Sequence, residues 1–369
     1  MEQYYVGLDV HSKQSVFVIE DGAGTVTARG EVPTTRPGFE RLCAEHRLPS
    51  GTRVALETGT VAFFVARQLA ALGLAPLVID AHEIRLKAYR PNQKSDRRDA
   101  LELCEGLRRG IYRAIVHVPR AEVTRLRETL GRRRHFVRLQ SAQVSAVKAL
   151  VRAAGLGQLR PSLGTEVGWA KALAALAGYP ELQGYVAQHR ALWRCTGEQV
   201  ATLAAALARQ HEASFATEMR RLQTIPGVGP IVAATAIAVF ADVTRFPDAK
   251  HAASYAGLVP ATYQSGDRTA HGRITKRGSA ELRAMLCEAA HHARRPAHPL
   301  NPYFARLCAK RGYKMAVTAV AHRLCRIIFA MLRHATDFDT TKLNIERGPF
   351  ARRVVRVYRL KATVSNRNK

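Results

Sequence analysis

Four carboxylates and one hydroxyl stand where they could do chemistry. Asp9 closes an apolar run in Gly7-Leu8-Asp9-Val10-His11, and Glu57 closes another in Ala55-Leu56-Glu57-Thr58-Gly59. A carboxylate at the end of a buried strand is costly to desolvate unless it meets something positive. Asp96 and Asp99 are three apart in Ser95-Asp96-Arg97-Arg98-Asp99-Ala100, a spacing that puts both on one helix face. Four such groups converging on a sheet edge suit a pair of Mg²⁺ ions about 4 Å apart, which would activate a hydroxyl and stabilise the leaving oxygen in phosphoryl transfer. Each also has an ordinary reading: a helix N-cap for Asp96, a helix-dipole partner for Asp99, an ion pair with a nearby Arg for Asp9 and Glu57. The hydroxyl is Ser265, in Tyr263-Gln264-Ser265-Gly266-Asp267. Read as a residue of a mobile Gly-bearing loop beside Arg268, Arg273, Lys276 and Arg277, it is placed to attack a phosphate whose charge those cations screen. It would need a base or metal to do so, and by composition alone it is a loop hydrogen-bonder.

The elements that must position these groups are legible from pattern. Tyr4 to Glu20 reads as two strands around a turn at His11 to Lys13, and Thr25 to Val32 as a third. A short helix over Gly38 to His46, a strand over Arg53 to Glu57, a helix over Val61 to Leu72 and a strand over Ala75 to Ile79 follow. That order predicts an α/β domain with a mixed sheet. Ser95 to Arg109 reads as an amphipathic helix with Ala100, Leu103, Cys104 and Leu107 on one face. Ala121 to about Val151, with apolar positions at Val123, Leu126, Leu130, Val137, Val144 and Val147, is a long helix studded with Arg, including Arg132, Arg133 and Arg134. Residues 181 to 222 give a second, and the link Gly155 to Pro180 suggests an antiparallel helical hairpin or coiled coil. It is either a spacer with a solvated basic face or a surface for nucleic acid or a second subunit.

Charge bounds the partner. Lys and Arg number 57 against 29 Asp and Glu, for a net charge of +28, which calls for a polyanion. Residues 1 to 60 carry eight acidic and six basic side chains, whereas 107 to 160 carry thirteen basic and two acidic, and 268 to 333 fourteen and two. A membrane is the weaker explanation, because the longest apolar run, Ile231 to Ala241, is about half of a span. Asp9, Glu20 and Asp21 interrupt any signal peptide, so the expected location is the cytoplasm. Cys43, Cys104, Cys195, Cys287, Cys308 and Cys325 are scattered without zinc spacing and read as reduced, mostly buried thiols.

Leu222-Gln223-Thr224-Ile225-Pro226-Gly227-Val228-Gly229-Pro230 has the form of a helix-hairpin-helix, in which amides around Gly227 and Gly229 meet phosphate at a helix N-terminus. An ordinary tight turn between core helices has the same form. Tyr255, Tyr263, Tyr303 and Tyr313 are either stacking platforms for bases or core residues, and His291 and His292 read as helix-face residues.

As a set, the carboxylates resemble those of RNase H-like nucleases, specifically the RuvC-like junction resolvases. The motifs around Asp9, Glu57 and Asp96 to Asp99, with Ala256-Gly257-Leu258-Val259-Pro260, the Ser265 segment and Gly272-Arg273-Ile274-Thr275-Lys276-Arg277-Gly278, are similar to the DEDD transposases of bacterial insertion sequences, the bridge-RNA-guided recombinases. The resemblance covers about the first 110 residues and the region 220 to 335. It implies a RuvC-like domain over 1–115, a helical linker over 116–220 and a mainly α C-terminal domain over 221–340; composition alone marks a basic tail over 341–369, where Arg352 to Lys369 carry seven basic and no acidic residues. It further implies that Asp9, Glu57, Asp96 and Asp99 hold Mg²⁺, two ions per site, and that Ser265 forms a covalent phosphoserine on the way to a Holliday junction. Relatives commonly have two hydroxyl residues at that loop, where this chain has Gln264 before Ser265. The partners implied are donor and target DNA, a guide RNA and further copies of the chain in a dimer or tetramer, with carboxylates of one protomer facing the serine of another. Two competing readings are a junction resolvase that has no use for Ser265 and a non-catalytic nucleic-acid-binding protein. Carboxylates near phosphate weaken binding unless a metal bridges them, which disfavours the second.

Overall fold

Alternation along the first strand decides how the N-terminal residues fold. In β1 (Tyr4–Val10) Val6 and Leu8 are fully buried on one face, while Tyr5, Gly7 and Asp9 point to the other. The computed structural model describes residues 3–87, 95–265 and 268–343. It divides into two units, Met1–Pro119 and Arg120–Lys369.

The first unit is a mixed α/β layer structure. β1 is followed by β2 (Gln14–Asp21), β3 (Val26–Pro33), α1 (Arg36–Glu45), β4 (Arg53–Glu57), α2 (Ala62–Ala71), β5 (Ala75–Ile79), α3 (Ala81–Lys87), α4 (Asp96–Arg108) and the short β6 (Ile115–Val116). The strands form one sheet in the order β3-β2-β1-β4-β5-β6. β1, β2 and β3 pair antiparallel, whereas β1, β4 and β5 run parallel. One face packs Val6, Leu8, Phe17, Ile19, Val54 and Leu56 against Phe39 and Leu42 of α1 and Val65 and Leu69 of α2. The other packs Tyr5, Val16, Val18, Ala55 and Ile79 against Ala100, Leu103, Cys104 and Leu107 of α4. α1 starts two residues before the expected Gly38, because Thr35 caps it by accepting from Gly38 N. α3 and β6 lie outside any periodic pattern. Glu83 fastens that stretch, its carboxylate accepting from the backbone N–H groups of Arg113 and Ala114 and from Lys87.

The second unit is mostly helical: α5 (Ala121–Ala153), α6 (Glu166–Ala175), α7 (Pro180–Ser214), α8 (Ala216–Gln223), α9 (Pro230–Phe240), α10 (Ala249–Tyr255), β7 (Pro260–Ser265), β8 (Arg268–Ile274), α11 (Ala280–His291), α12 (Asn301–Arg311) and α13 (Tyr313–His334). α5 and α7 form an antiparallel hairpin. An apolar cluster of Val147, Val151, Leu156, Leu163, Trp169, Ala172, Leu176 and Val186 sits at its tip. Val123, Leu126, Leu130 and Leu207 join the main core at its base. Toward the middle of the hairpin Gln143 bonds His189 at 2.8 Å and the Gln140 amide donates to the Trp193 carbonyl at 3.4 Å, while Gln210 bonds Thr129 at 2.9 Å beside the base. The helix expected over 181 to 222 is two helices, broken where Phe215 turns into the core, and the link between the long helices contains α6.

Two expectations need correction, on Ser265 and on the cysteines. Ser265 is the last residue of a β-hairpin strand, paired with Arg268, rather than part of a loop. α13 is long and apolar enough to cross a membrane, but Val320, Leu324, Ile328 and Phe329 bury it in the core of this unit. Of the six cysteines, Cys104 and Cys325 are buried, Cys43, Cys287 and Cys308 half-buried and Cys195 exposed. Burial pushes the Cys104 and Cys325 thiols up to about 12, so neither is a nucleophile.

Gly7 is the tightest point of the first unit, since a Cβ there would lie 2.0 Å from the Ala100 carbonyl oxygen and 2.5 Å from the Cys104 nitrogen. Gly7→Ala should lower unfolding free energy by about 3 kcal/mol or more in urea titrations. Gly59→Ala, where a Cβ meets open space, should change it little. Equal midpoints for the two variants would refute this packing.

Candidate functional site

The parallel register between β1 and β4 sets the first half of the site. Leu8 pairs with Leu56, so the residues that follow, Asp9 and Glu57, stand side by side at the C-terminal ends of adjacent central strands. Both belong to the face that α4 covers. α4 runs back along β1, with Ala100 over Gly7 and the Cys104 thiol on the Tyr5 carbonyl oxygen at 3.2 Å, so its N-terminus arrives at Asp9. Its first turn brings Asp96 and Asp99 and the positive end of its dipole.

His11 connects the two elements. Its Nε2 lies 3.2 Å from Asp9 Oδ2 and 3.3 Å from Asp96 Oδ2, and these three ligand atoms all fall within 4.8 Å of one another. The Asp9 side chain is 14% exposed and that of Asp96 56%, so the cluster is buried on its strand side and open on its helix side. Glu57 and Asp99 are half-buried. The N-cap of α4 is Ser95, which accepts from Arg98 N, so Asp96 is not needed as a cap; Asp99, in the first turn, retains its place as a dipole partner. The other buried acid of this face is treated differently: Glu20, 1% exposed, is neutralised by Arg108 Nε at 2.8 Å. Carboxylate oxygens with one imidazole nitrogen, gathered at one point, are a donor set that fits a divalent cation. The sequence motif around Asp9 includes His11 but assigns it no role; its signal is its place two residues after Asp9, just past the end of the same strand.

In the second unit the hairpin of β7 and β8 is anchored at its base. A Cβ on Gly278 would lie 2.0 Å from the Tyr255 carbonyl oxygen, which instead accepts from Ser279 N at 3.0 Å, and Arg283 donates to the Ala256 carbonyl. Gly266, Asp267 and the side chains of Ser265 and Arg268 lie outside the described residues. Arg273, Lys276 and Arg277 are exposed, and Lys276 has a left-handed φ of 55°. Tyr263 is 68% exposed with its ring lying over Gly272. The other tyrosines have partners: Tyr255 lies edge-on to Phe246, Tyr303 carries the Arg306 and Arg323 guanidinium groups, and Tyr313 bonds His291 at 2.7 Å.

The turn between α8 and α9 is held from inside. Ile225 and Val228 are buried, and Gly227, at φ 83°, abuts the Ala289 carbonyl oxygen and His292 of the α11 end. Gly229 is the N-cap of α9, with open space where a Cβ would be and no side chain capping the helix. His298 locks this turn. Its Nε2 donates to the Pro226 carbonyl at 3.0 Å while its Nδ1 accepts from Leu300 N, an arrangement that only the neutral ring can make. Arg132, Arg133 and Arg134 fan around α5 rather than sharing a face: Arg132 is exposed, Arg133 half-buried, and Arg134 paired with Glu281 at 3.0 Å.

Residues 6–154 match the model of a family described as a transposase, the DEDD type of IS110, and residues 219–305 match the IS116/IS110/IS902 transposase family. The chain is 27% identical over 300 residues to a probable family 20 transposase of Pseudomonas aeruginosa, covering 77% of this chain and 85% of the relative. It is 25% identical over 275 residues to the transposase for insertion sequence element IS1111A of Coxiella burnetii, covering 72% and 73%. A pilin gene-inverting protein of Moraxella lacunata is 33% identical over 121 residues, 32% of this chain and 38% of the relative.

Burial lowers the pKa of His298 below its ordinary 6.5, outweighing the Pro226 hydrogen bond. The unfolded chain therefore binds the proton more readily than the folded one, and stability present above about pH 6.5 is lost as pH falls toward the lowered folded value. Urea midpoints should fall from pH 7.5 to pH 5.5, with a shallower slope in His298→Gln. Identical slopes would show that the ring does not set this dependence.

Proposed function

The chain belongs to the DEDD transposases of the IS110 type, and from that premise we propose that it excises and inserts an insertion sequence by a metal-assisted serine recombination guided by RNA. It is a DNA-recombining enzyme with DNA as its substrate, and its family uses divalent metal. The observation that carries the mechanistic reading is the convergence of Asp9 and Asp96 on one point at the ends of the parallel strands, with Glu57 beside Asp9 and Asp99 one turn along α4.

In this reading the first unit is RuvC-like, as the strand order and the position of α4 across β1 support. Asp9, Glu57, Asp96 and Asp99 would hold Mg²⁺, two ions per site. When bound, the cations lower the cost of charge on the attacking and leaving oxygens. Ser265 Oγ attacks a backbone phosphorus, its proton leaves to a base, and one deoxyribose hydroxyl departs; a phosphoserine ester replaces the phosphodiester. Attack by a hydroxyl of the incoming strand reverses the exchange and frees the serine, so the bond energy is conserved and no nucleotide cofactor is consumed. Two such exchanges pass through a Holliday junction. Arg273, Lys276 and Arg277, with Arg268, screen the phosphate beside the hairpin, while Arg132 and Arg133 on α5 and the amides around Gly227 and Gly229 hold backbone phosphates further away. Arg134, already paired with Glu281, contributes less. Base pairing to the guide RNA chooses donor and target, and the large basic surplus serves RNA and two duplexes at once. A dimer or tetramer in the bacterial cytoplasm completes the site, carboxylates of one copy serving the serine of another.

The purified protein, with RNA from cells carrying the whole element, is incubated with labelled donor and target DNA. A denaturation-resistant protein–DNA adduct should form only with Mg²⁺, disappear in Ser265→Ala, and fall at least about a hundredfold in Asp9→Asn. Junction cleavage by Ser265→Ala with no adduct in the parent would overturn the serine chemistry and leave a resolvase.

A further inference from the structure

We infer that His11 is a nitrogen ligand of the cation at the carboxylate site and that it biases this site toward Mn²⁺ over Mg²⁺. The inference rests on the metal reading above and adds a donor that the four carboxylates do not include.

The geometry is that of a coordination shell. Neighbouring ligands of an octahedral ion with bonds of about 2.1 Å are about 3.0 Å apart. The Nε2 atom of His11 stands 3.2 and 3.3 Å from one oxygen of Asp9 and one of Asp96, each close to an octahedral edge. The ring is carried on a fixed backbone. His11 N donates to the Gln14 carbonyl at 3.2 Å, and the His11 carbonyl accepts from Thr34 Oγ1 at 2.8 Å, the hydroxyl that also bonds buried Ser15. The side chain itself is 47% exposed, so a hydrated cation reaches Nε2 without displacing protein.

A cation seated there would take the Nε2 lone pair of His11 and one oxygen each of Asp9 and Asp96 as ligands. Mg²⁺ prefers oxygen donors and gives up water reluctantly, whereas first-row ions accept imidazole readily. Carboxylate donors alone would leave little to choose between Mg²⁺ and Mn²⁺; the imidazole supplies the preference.

The test uses the full-length protein and Mn²⁺ itself. Pulsed electron paramagnetic resonance of the Mn²⁺-loaded protein should show ¹⁴N modulation from a directly bound imidazole, absent in His11→Gln. Mn²⁺ affinity should drop about tenfold or more in His11→Gln, while Mg²⁺ affinity, read by competition, moves less than about threefold. Matched thermal unfolding of the two proteins checks that the exposed turn tolerates glutamine. Mn²⁺ that binds in an Asp9-dependent way but shows no nitrogen modulation would overturn the role of His11 and leave the carboxylate site standing. Mn²⁺ binding that is unchanged in Asp9→Asn would overturn both.

Discussion

The close approach of α4 to β1 is the constraint on which the first unit depends. The Ala100 carbonyl occupies the space a side chain at residue 7 would need, so only glycine lets the helix lie directly on the strand. Contact at that distance fixes the helix along its axis as well as above the sheet, because Cys104 simultaneously bonds the Tyr5 carbonyl. The start of α4 is thereby delivered to the end of β1, and Asp96 meets His11 and Asp9. A helix held a side chain's width further away would leave those acids on separate surfaces. The same helix carries Arg108 at its other end, where it neutralises Glu20. One face of the sheet therefore holds two acidic arrangements with opposite outcomes, one closed by a guanidinium and one left open toward solvent.

The second unit solves a different problem, which is to present a two-stranded hairpin from a helical core. Among the described residues the hairpin joins no larger sheet, so its base is fixed by other means. Glycines at 257 and 278 let the strand ends press against the end of α10, and Arg283 ties α11 to the same backbone. The turn ahead of α9 is built similarly, with Gly227 set against the end of α11 and His298 bonded to Pro226. Both features place backbone at the surface while their apolar neighbours, such as Ile225, Val228 and Leu258, remain in the core.

Much of the first unit was legible in the sequence because its signals are local. Alternation gave the strands within a residue or two, and Ser95 with the apolar stripe at Ala100, Leu103, Cys104 and Leu107 gave α4. α3 and β6 were not legible, since what orders them is Glu83 reaching across about thirty residues to the N–H groups of Arg113 and Ala114. The break at Phe215 was hidden for a related reason: the flanking residues are good helix formers, and the core alone requires the turn. Glycines around Ser265 suggested a loop where cross-strand pairing makes a hairpin. The candidate carboxylates were visible as residue types at strand and helix ends, but their meeting at His11 is a tertiary fact.

The hairpin of α5 and α7 has a mechanical consequence of its own. Its tip and base are separate apolar clusters, and the stretch between them carries side-chain bonds such as Gln143 on His189 and Gln140 on the Trp193 carbonyl. Polar contacts of this kind exchange readily with water and transmit little cooperativity. The apolar packing of the tip, organised around Trp169, is thus separate from that of the base, and a local opening there would leave the base cluster intact. Amide protons near Trp169 would then exchange with solvent through local openings, on a different clock from those beside Leu126.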